Sequence, residues 1–348
     1  MNFDLDENQE LFKAAVERFC QGQDVAARRA ARALPGGIDR ARWKELAELG
    51  LIGLAAGEDD GGMGGSHGDL AVVAQALGHA QAVEPWLECG FLPARLLAGS
   101  AHLEGVISGE TIAAFAFAEP GRRFVLDAQG VKAQRLKNGG GKLSGTKQFV
   151  LGGGAADVFV VTAEEDGKTA LYVVDAKAPE VEVRPYPVAD GGVAAIVTFH
   201  DAAAEGPLAA DLHAVIDEAR LMAAAEMVGL AQRLFADTLE YIKTREQFGQ
   251  PIGRFQVLQH RMVDAYARVE SVQSAILRAL LQPAAPMAAI KAHVAENAIW
   301  VAHQAVQLHG GMGMSDELGI GHGLKRIVLL SKLFGDPASD ILDYARAA

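Results

Sequence analysis

Two short runs hold residue types that could grip a planar, anionic ligand. The run "TREQFGQPIGRFQ", residues 244–256, contains Arg245, Gln247, Phe248 and Gln256 with two glycines between them. An arginine fork can pair bidentately with a phosphate. Phe248 offers a ring face, and Gln256 can donate and accept within one amide plane. The run "QLHGGMGM", 307–314, supplies Gln307 with Gly310 and Gly311, and glycines permit close approach of backbone to a ligand. Each run alone also reads as a helix corner, with Gly249 stopping one helix and a glycine cap closing the other. Two such runs at helix ends of one bundle favour a ligand more than either does by itself.

The rest of the composition narrows the ligand and its setting. The 348 residues carry 44 Asp and Glu against 32 Lys and Arg, a net charge of -12. That excludes a general nucleic-acid binder, which needs a basic face. An anion must then be met by a few placed arginines. Half the residues are hydrophobic and 22% are charged, as in folded globular chains. Cys20 and Cys89 are the two cysteines; they form neither a disulfide framework nor a zinc site and read as buried thiols of a reducing compartment. The opening "MNFDLDENQE" has no secretory pattern, and a cytoplasmic protein is expected.

The elements that must position these runs follow from periodicity. Residues 1–110 read as helical, with Asp6 and Gln9 spaced as a capping box. From 111 to 207, short β-branched and aromatic runs separated by Gly, Asp, Lys and Pro predict a small antiparallel β unit. From 208 to 348 the helical period returns in four long segments with short connections, which predicts an antiparallel four-helix bundle. The fold class is mostly α with a central β domain.

With that order of domains, the sequence resembles the acyl-CoA dehydrogenase family. The resemblance rests on the two runs above, on "FAEP" (117–120), and on "DEAR" (217–220) followed by "VGLAQ" (228–232). It implies an FAD enzyme that forms a 2,3-enoyl thioester from an acyl-CoA, with electron-transfer flavoprotein as the acceptor. In that family Arg245, Gln247, Phe248, Gln256, Gln307, Gly310 and Gly311 would touch the ADP half of a flavin held mainly by a neighbouring subunit. Asp217 and Arg220 match an Asp-x-x-Arg used around the CoA moiety, although both could simply cap and solvate the long helix.

The positions a subunit uses for its own flavin depart from the family pattern. Its Thr-Glu-Pro-x-x-Gly-Ser-Asp becomes "AEPGRRFV", so Ala118 replaces the flavin-bonding Thr and Arg123, Phe124 and Val125 replace Gly-Ser-Asp. Its Trp-Ile-Thr becomes Phe149 to Leu151. The catalytic carboxylate falls at Gly335, and the alternative base on the long helix falls at Ala219. Glu218 and Asp336 are the nearest carboxylates, each displaced by one position, which on a helix turns a side chain by about 100°.

These departures imply a non-catalytic subunit of a two-plus-two heterotetramer, similar to the bacterial enzymes that shorten steroid side chains. A catalytic partner subunit would supply the base. Two alternatives remain: a self-sufficient flavoenzyme using Glu218 or Asp336, and a flavin-free scaffold that retains the bundle to oligomerise. His303, His309 and His322 do not match a metal motif and read as surface or capping residues. Trp43, Trp86 and Trp300 read as core or interface fillers, and Arg122 with Arg123 as a solvated pair.

Overall fold

The computed structural model describes residues 4–122, 125–137, 139–282 and 284–347. The N-terminal part comprises α1 (Glu7–Phe19), α2 (Val25–Arg32), α3 (Arg40–Glu48) and α4 (His67–Ala80). A π-helical turn, Trp86–Phe91, then leads into α5 (Leu92–Leu96) and α6 (Leu103–Ile107). Asp6 caps α1 as its spacing predicts: its side chain accepts from Gln9 N, and Gln9 returns a bond to the Asp6 backbone.

The strands are β1 (Ala113–Ala116), β2 (Lys132–Arg135), β3 (Gly141–Leu151), β4 (Val158–Glu165), β5 (Lys168–Asp175), β6 (Val181–Pro187) and β7 (Val193–Ala204). They form one sheet in the order β1-β4-β2-β3-β7-β6, with β5 also paired to β4. The sheet is mixed where an antiparallel unit was expected, because β1 and β2 both run parallel to β4. β1 is short and fully buried, and such a strand has no alternation from which its direction could be read. Phe159, Phe199, Tyr172 and Val197 fill the core of this sheet.

The C-terminal part comprises α7 (Leu212–Thr244), a short hairpin of β8 (Glu246–Gln247) and β9 (Gln250–Pro251), then α8 (Gln256–Leu281), α9 (Met287–His309), α10 (Gly319–Lys332) and α11 (Pro337–Ala347). α11 is a helix beyond the four expected. Its start is set by Asp336, whose carboxylate accepts from Ser339 N at 2.9 Å while Ser339 Oγ accepts from Asp336 N at 2.8 Å. Pro337 occupies the first helical position, where a missing N–H costs nothing.

Packing groups the chain into two compact units. One holds residues 1–27, 67–82 and 220–348, and the other holds 28–66 and 83–219. Within the first, Gly78 lies where a Cβ would meet Glu226 O at 2.1 Å, and Gly229 where one would meet Gln75 O at 1.9 Å. α4 and α7 can cross this closely only because glycine is present on each. Within the second, Trp43 and Trp86 are buried, and Trp86 Nε1 donates to Leu51 O at 2.7 Å. No helix is long and apolar enough to cross a membrane among the described residues.

Candidate functional site

α7 ends at Thr244, and the chain turns through the β8–β9 hairpin rather than a plain helix corner. Glu246 pairs with Pro251 and Gln247 with Gln250, leaving Phe248 and Gly249 as a two-residue loop. Both have positive φ, 54° and 77°, the signature of the primed turns that match strand twist. The hairpin is tied down by Arg245 N donating to Tyr241 O and Ile252 N donating to Arg245 O, both at 2.8 Å.

An apolar cluster brings the second run to the same end of the unit. Ile242, Met262 and Leu308 pack with Tyr241, Ile252 and Leu258, joining the ends of α7 and α9 to the start of α8. The Tyr241 ring stacks on His309 at 4.2 Å, and His309 Nδ1 bonds to Ala305 O at 2.8 Å. His309 is therefore buried, and so is His322; of the surface or capping roles expected for them, the surface role does not hold. Burial followed from their ring partners and packing, which spacing does not reveal.

Around this end, Arg245, Gln247, Phe248, Gln256 and Gln307 are all exposed. Gln247 Nε2 donates back to Glu246 O, and Phe248 meets Phe255 edge-on at 6.1 Å while staying 91% exposed. Among the described residues the side chains of Arg245, Gln256 and Gln307 have no intramolecular partner. The three glycines after His309 divide by cause. Gly313 would place a Cβ 2.7 Å from Val306 O, and Gly310 has φ +60°. Gly311 has neither constraint, and a Cβ there would meet nothing within 4 Å. Its lack of a side chain serves nothing inside this chain. The open glycines and unpartnered polar groups fit the ADP half of a dinucleotide.

The own-flavin positions on the sheet look different. Ala118 is buried, and its carbonyl accepts from Gln148 N at 2.8 Å. Phe149 has φ 55° inside a bulge where the β3–β7 register shifts between Lys147 and Val150. No hydroxyl is offered at Ala118, Phe149, Val150 or Leu151. Arg123 and Phe124 lie outside the described residues; Val125 is exposed. Arg122 is not simply solvated, since its guanidinium donates to Gln129 Oε1 at 2.6 Å.

Beside Ala118 lies a pair that spacing does not reveal. Buried Lys147 donates to Glu119 Oε1 and Thr162 Oγ1, both at 2.8 Å, and to Phe117 O at 3.0 Å. Burial alone would raise the Glu119 carboxyl. The bond from Lys147 and backbone donors from Gly130, Val131 and Gln129 outweigh it and hold the group at about 2. Burial draws Lys147 down to about 8, against the opposing pull of Glu119.

The two displaced carboxylates are both engaged. Glu218 Oε2 lies 2.9 Å from Arg95 Nε, and Arg95 in turn sits 5.8 Å from the Phe91 ring. Asp336 caps α11; the bond from the Ser339 backbone holds its carboxyl below the ordinary range. Arg220 donates through Nε and Nη2 to Phe334 O, at 3.1 and 2.8 Å, and Asp217 is exposed. Ala219 is fully buried.

Gly335 has φ +133°, and a Cβ there would lie 2.0 Å from Asp340 Oδ1. Asp340 accepts from Lys291 Nζ at 3.0 Å, and the ammonium also donates to Gly335 O at 2.8 Å and Ser331 O at 3.2 Å. Neither side chain of that pair has any exposure.

Comparison with known proteins decides the family. Residues 6–90 match the acyl-CoA dehydrogenase N-terminal domain and residues 210–347 its C-terminal domain. Acyl-CoA dehydrogenase IpdE2 of Mycolicibacterium smegmatis is 30% identical over 97% of each chain. This chain belongs to the acyl-CoA dehydrogenase family. Among solved members, a variant of the Tcur3481-Tcur3483 steroid ACAD is 28% identical with a TM-score of 0.87, over 98% of this chain and 96% of that one. The ChsE4-ChsE5 complex of Mycobacterium tuberculosis is 26% identical with a TM-score of 0.85, over 99% and 98%. Both matches cover the sheet region as well as the helices of this chain.

Proposed function

We propose that this chain is the non-catalytic subunit of a heteromeric, FAD-dependent acyl-CoA dehydrogenase. When bound, FAD supplies acceptance of a hydride from the β-carbon of the acyl thioester. In this reading Arg245 binds the pyrophosphate of a flavin seated mainly on a catalytic partner, and Phe248 packs against the ADP half of that flavin. Gln247, Gln256 and Gln307 bond its polar edges, and Gly310 and Gly311 let backbone come close. The partner supplies the base. The steroid enzyme and the two-protein complex among the similar structures point to a steroid side-chain CoA thioester, with Asp217 and Arg220 as remaining CoA contacts and electron-transfer flavoprotein as acceptor.

One contrast carries the proposal: a Cβ at Gly311 would meet nothing within 4 Å, and the exposed side chains of Arg245, Gln256 and Gln307 have no partner among the described residues, while Ala118, Phe149 and Leu151 offer a flavin ring no hydroxyl. Relocation of the base to Glu218 or Asp336 is disfavoured because Arg95 and the α11 N-terminus already hold those carboxylates. A flavin-free scaffold is disfavoured because it would not need the unpartnered side chains. The test is purification of the chain alone and with its catalytic partner, counting flavin per chain and assaying an acyl-CoA with an electron acceptor. The expected result is a colourless, inactive single chain and an active yellow complex. An active yellow preparation of the single chain sinks the reading.

A further inference from the structure

A cleft of about 730 Å³ lies in the first unit among α1, α4, α7 and α8, a volume within the usual range of small-ligand sites. None of its residues belongs to the flavin-contacting set. Three glutamines line it, each from a different helix: Gln75 on α4, Gln232 on α7 and Gln273 on α8. Gln75 Nε2 donates to Gln232 Oε1 at 2.9 Å and to Gln273 Oε1 at 2.8 Å. Gln232 Nε2 donates to Gln273 Oε1 at 3.2 Å.

A side-chain amide has two N–H donors and one carbonyl acceptor. The three bonds consume both donors of Gln75, one donor of Gln232, and the carbonyls of Gln232 and Gln273. Left over among the described residues are the Gln75 carbonyl, one N–H of Gln232 and both N–H groups of Gln273, on half-buried side chains that line the cleft. The cleft wall thus carries one unused acceptor, on Gln75, and unused donors on Gln232 and Gln273, all on side chains tied into the same network. Val72 and Ala76 supply apolar wall.

Charge around the cleft restricts the ligand further. Asp4, Glu10 and Glu17 face a single ammonium, Lys13. Burial and Arg233 push the His79 imidazole below its ordinary value, against Asp237 and Glu17. Carboxylates and phosphates are repelled.

We propose that this cleft binds a neutral small molecule with a planar amide edge, its carbonyl accepting from Gln273 Nε2 and its N–H donating to Gln75 Oε1. The apolar body of the ligand rests on Val72 and Ala76.

Benzamide, benzoate and benzamidine test this as probes of one shape and three hydrogen-bonding edges, titrated into the full chain at pH 7 and followed by ligand-observed NMR. Benzoate cannot donate to Gln75, and benzamidine cannot accept from Gln273. One lost hydrogen bond is worth up to about tenfold in Kd, so benzamide is expected to bind about tenfold tighter than either at high salt, which screens the attraction of the acidic lining for benzamidinium and its repulsion of benzoate. Gln273→Glu keeps the shape and the acceptor for Gln75 but removes the donors, and should move the preference from benzamide to benzamidine. Val72→Trp, which fills the wall and leaves the glutamines in place, should abolish benzamide binding. Equal affinities for the three probes, no benzamide binding, or a preference unmoved by these substitutions would overturn the assignment and leave the glutamines as a helix-joining network. No flavin or acyl-CoA enters the readout, so the outcome is independent of the subunit's proposed role.

Discussion

Two corners of the first unit treat their polar groups in opposite ways. At the hairpin end, Arg245, Gln256 and Gln307 stand exposed without side-chain partners among the described residues, and Gly311 faces open space. At the start of α11, Lys291 and Asp340 are wholly enclosed, and the ammonium uses three acceptors. Polar groups in water cost little to leave unpaired, so the first corner can wait for a ligand. A buried charge must be matched by partner and hydrogen bonds together, so the second corner is closed. The resemblance puts the expected base at Gly335, and the space that a side chain there would enter is occupied by Asp340.

The largest effect is expected from trying to reopen the closed corner. Gly335→Glu must place a Cβ within 2.0 Å of Asp340 Oδ1 on a backbone with φ +133°. It should displace Asp340 from Lys291, and breaking a buried pair costs about 3–5 kcal/mol. Denaturant unfolding should show that loss, and the single chain should gain no dehydrogenase activity. A stable, active Gly335→Glu chain would mean the corner is still a usable base site.

The second unit offers a comparison of similar size. Lys147→Met leaves Glu119 buried without its cation and should cost about 3–5 kcal/mol. The pH dependence has a definite sign. Glu119 is held at about 2, below its ordinary 4.5, so the folded state binds fewer protons than the unfolded one between those values. Its contribution is fully present above about 4.5 and is lost as pH falls toward 2. Without Lys147 the Glu119 carboxyl should rise, and acid destabilisation should begin at higher pH. Unfolding midpoints measured from pH 6 to pH 3 on both forms check this.

How much of this was legible beforehand varied with the range of the interactions. The capping box at Asp6, the helical and strand-rich stretches and the bundle-end residues all rest on local spacing, and local spacing survives folding. α11 was legible too, through Asp336, Pro337 and Ser339, but the acidic residue was weighed as chemistry rather than as a cap. The Lys291–Asp340 pair joins residues 49 apart in sequence, and Lys147 and Glu119 meet 28 apart across the sheet. No periodicity encodes such partners. The parallel strands were hidden for the same reason, since direction is fixed by crossover connections.

At the open corner the expected effects fall on binding rather than on folding. Gly311→Ala meets no atom within 4 Å and should leave stability within about 0.5 kcal/mol, as for other surface changes. In the complex with its partner it should weaken flavin retention by about tenfold if backbone comes close to the ligand there, because a Cβ then enters occupied space, a loss of about 1.4 kcal/mol. Dialysis of the complex followed by flavin absorbance measures it. Retention equal to wild type would remove Gly311 from the contact.

A small net stability change is also expected at Phe248, and its smallness is the informative part. A non-glycine residue at φ 54° carries about 1–2 kcal/mol of strain, which Phe248→Gly relieves. The substitution gives up the edge-on contact with Phe255, worth about 0.5–1.5 kcal/mol, and adds unfolded-state freedom worth up to about 1 kcal/mol. These terms nearly cancel, so the isolated chain should unfold within about 1 kcal/mol of wild type. The same change removes a ring that is 91% exposed and has no core to serve, so flavin retention by the complex should fall while the fold stays intact. A larger loss of stability, with retention unchanged, would make Phe248 a brace for the hairpin and remove it from the flavin surface.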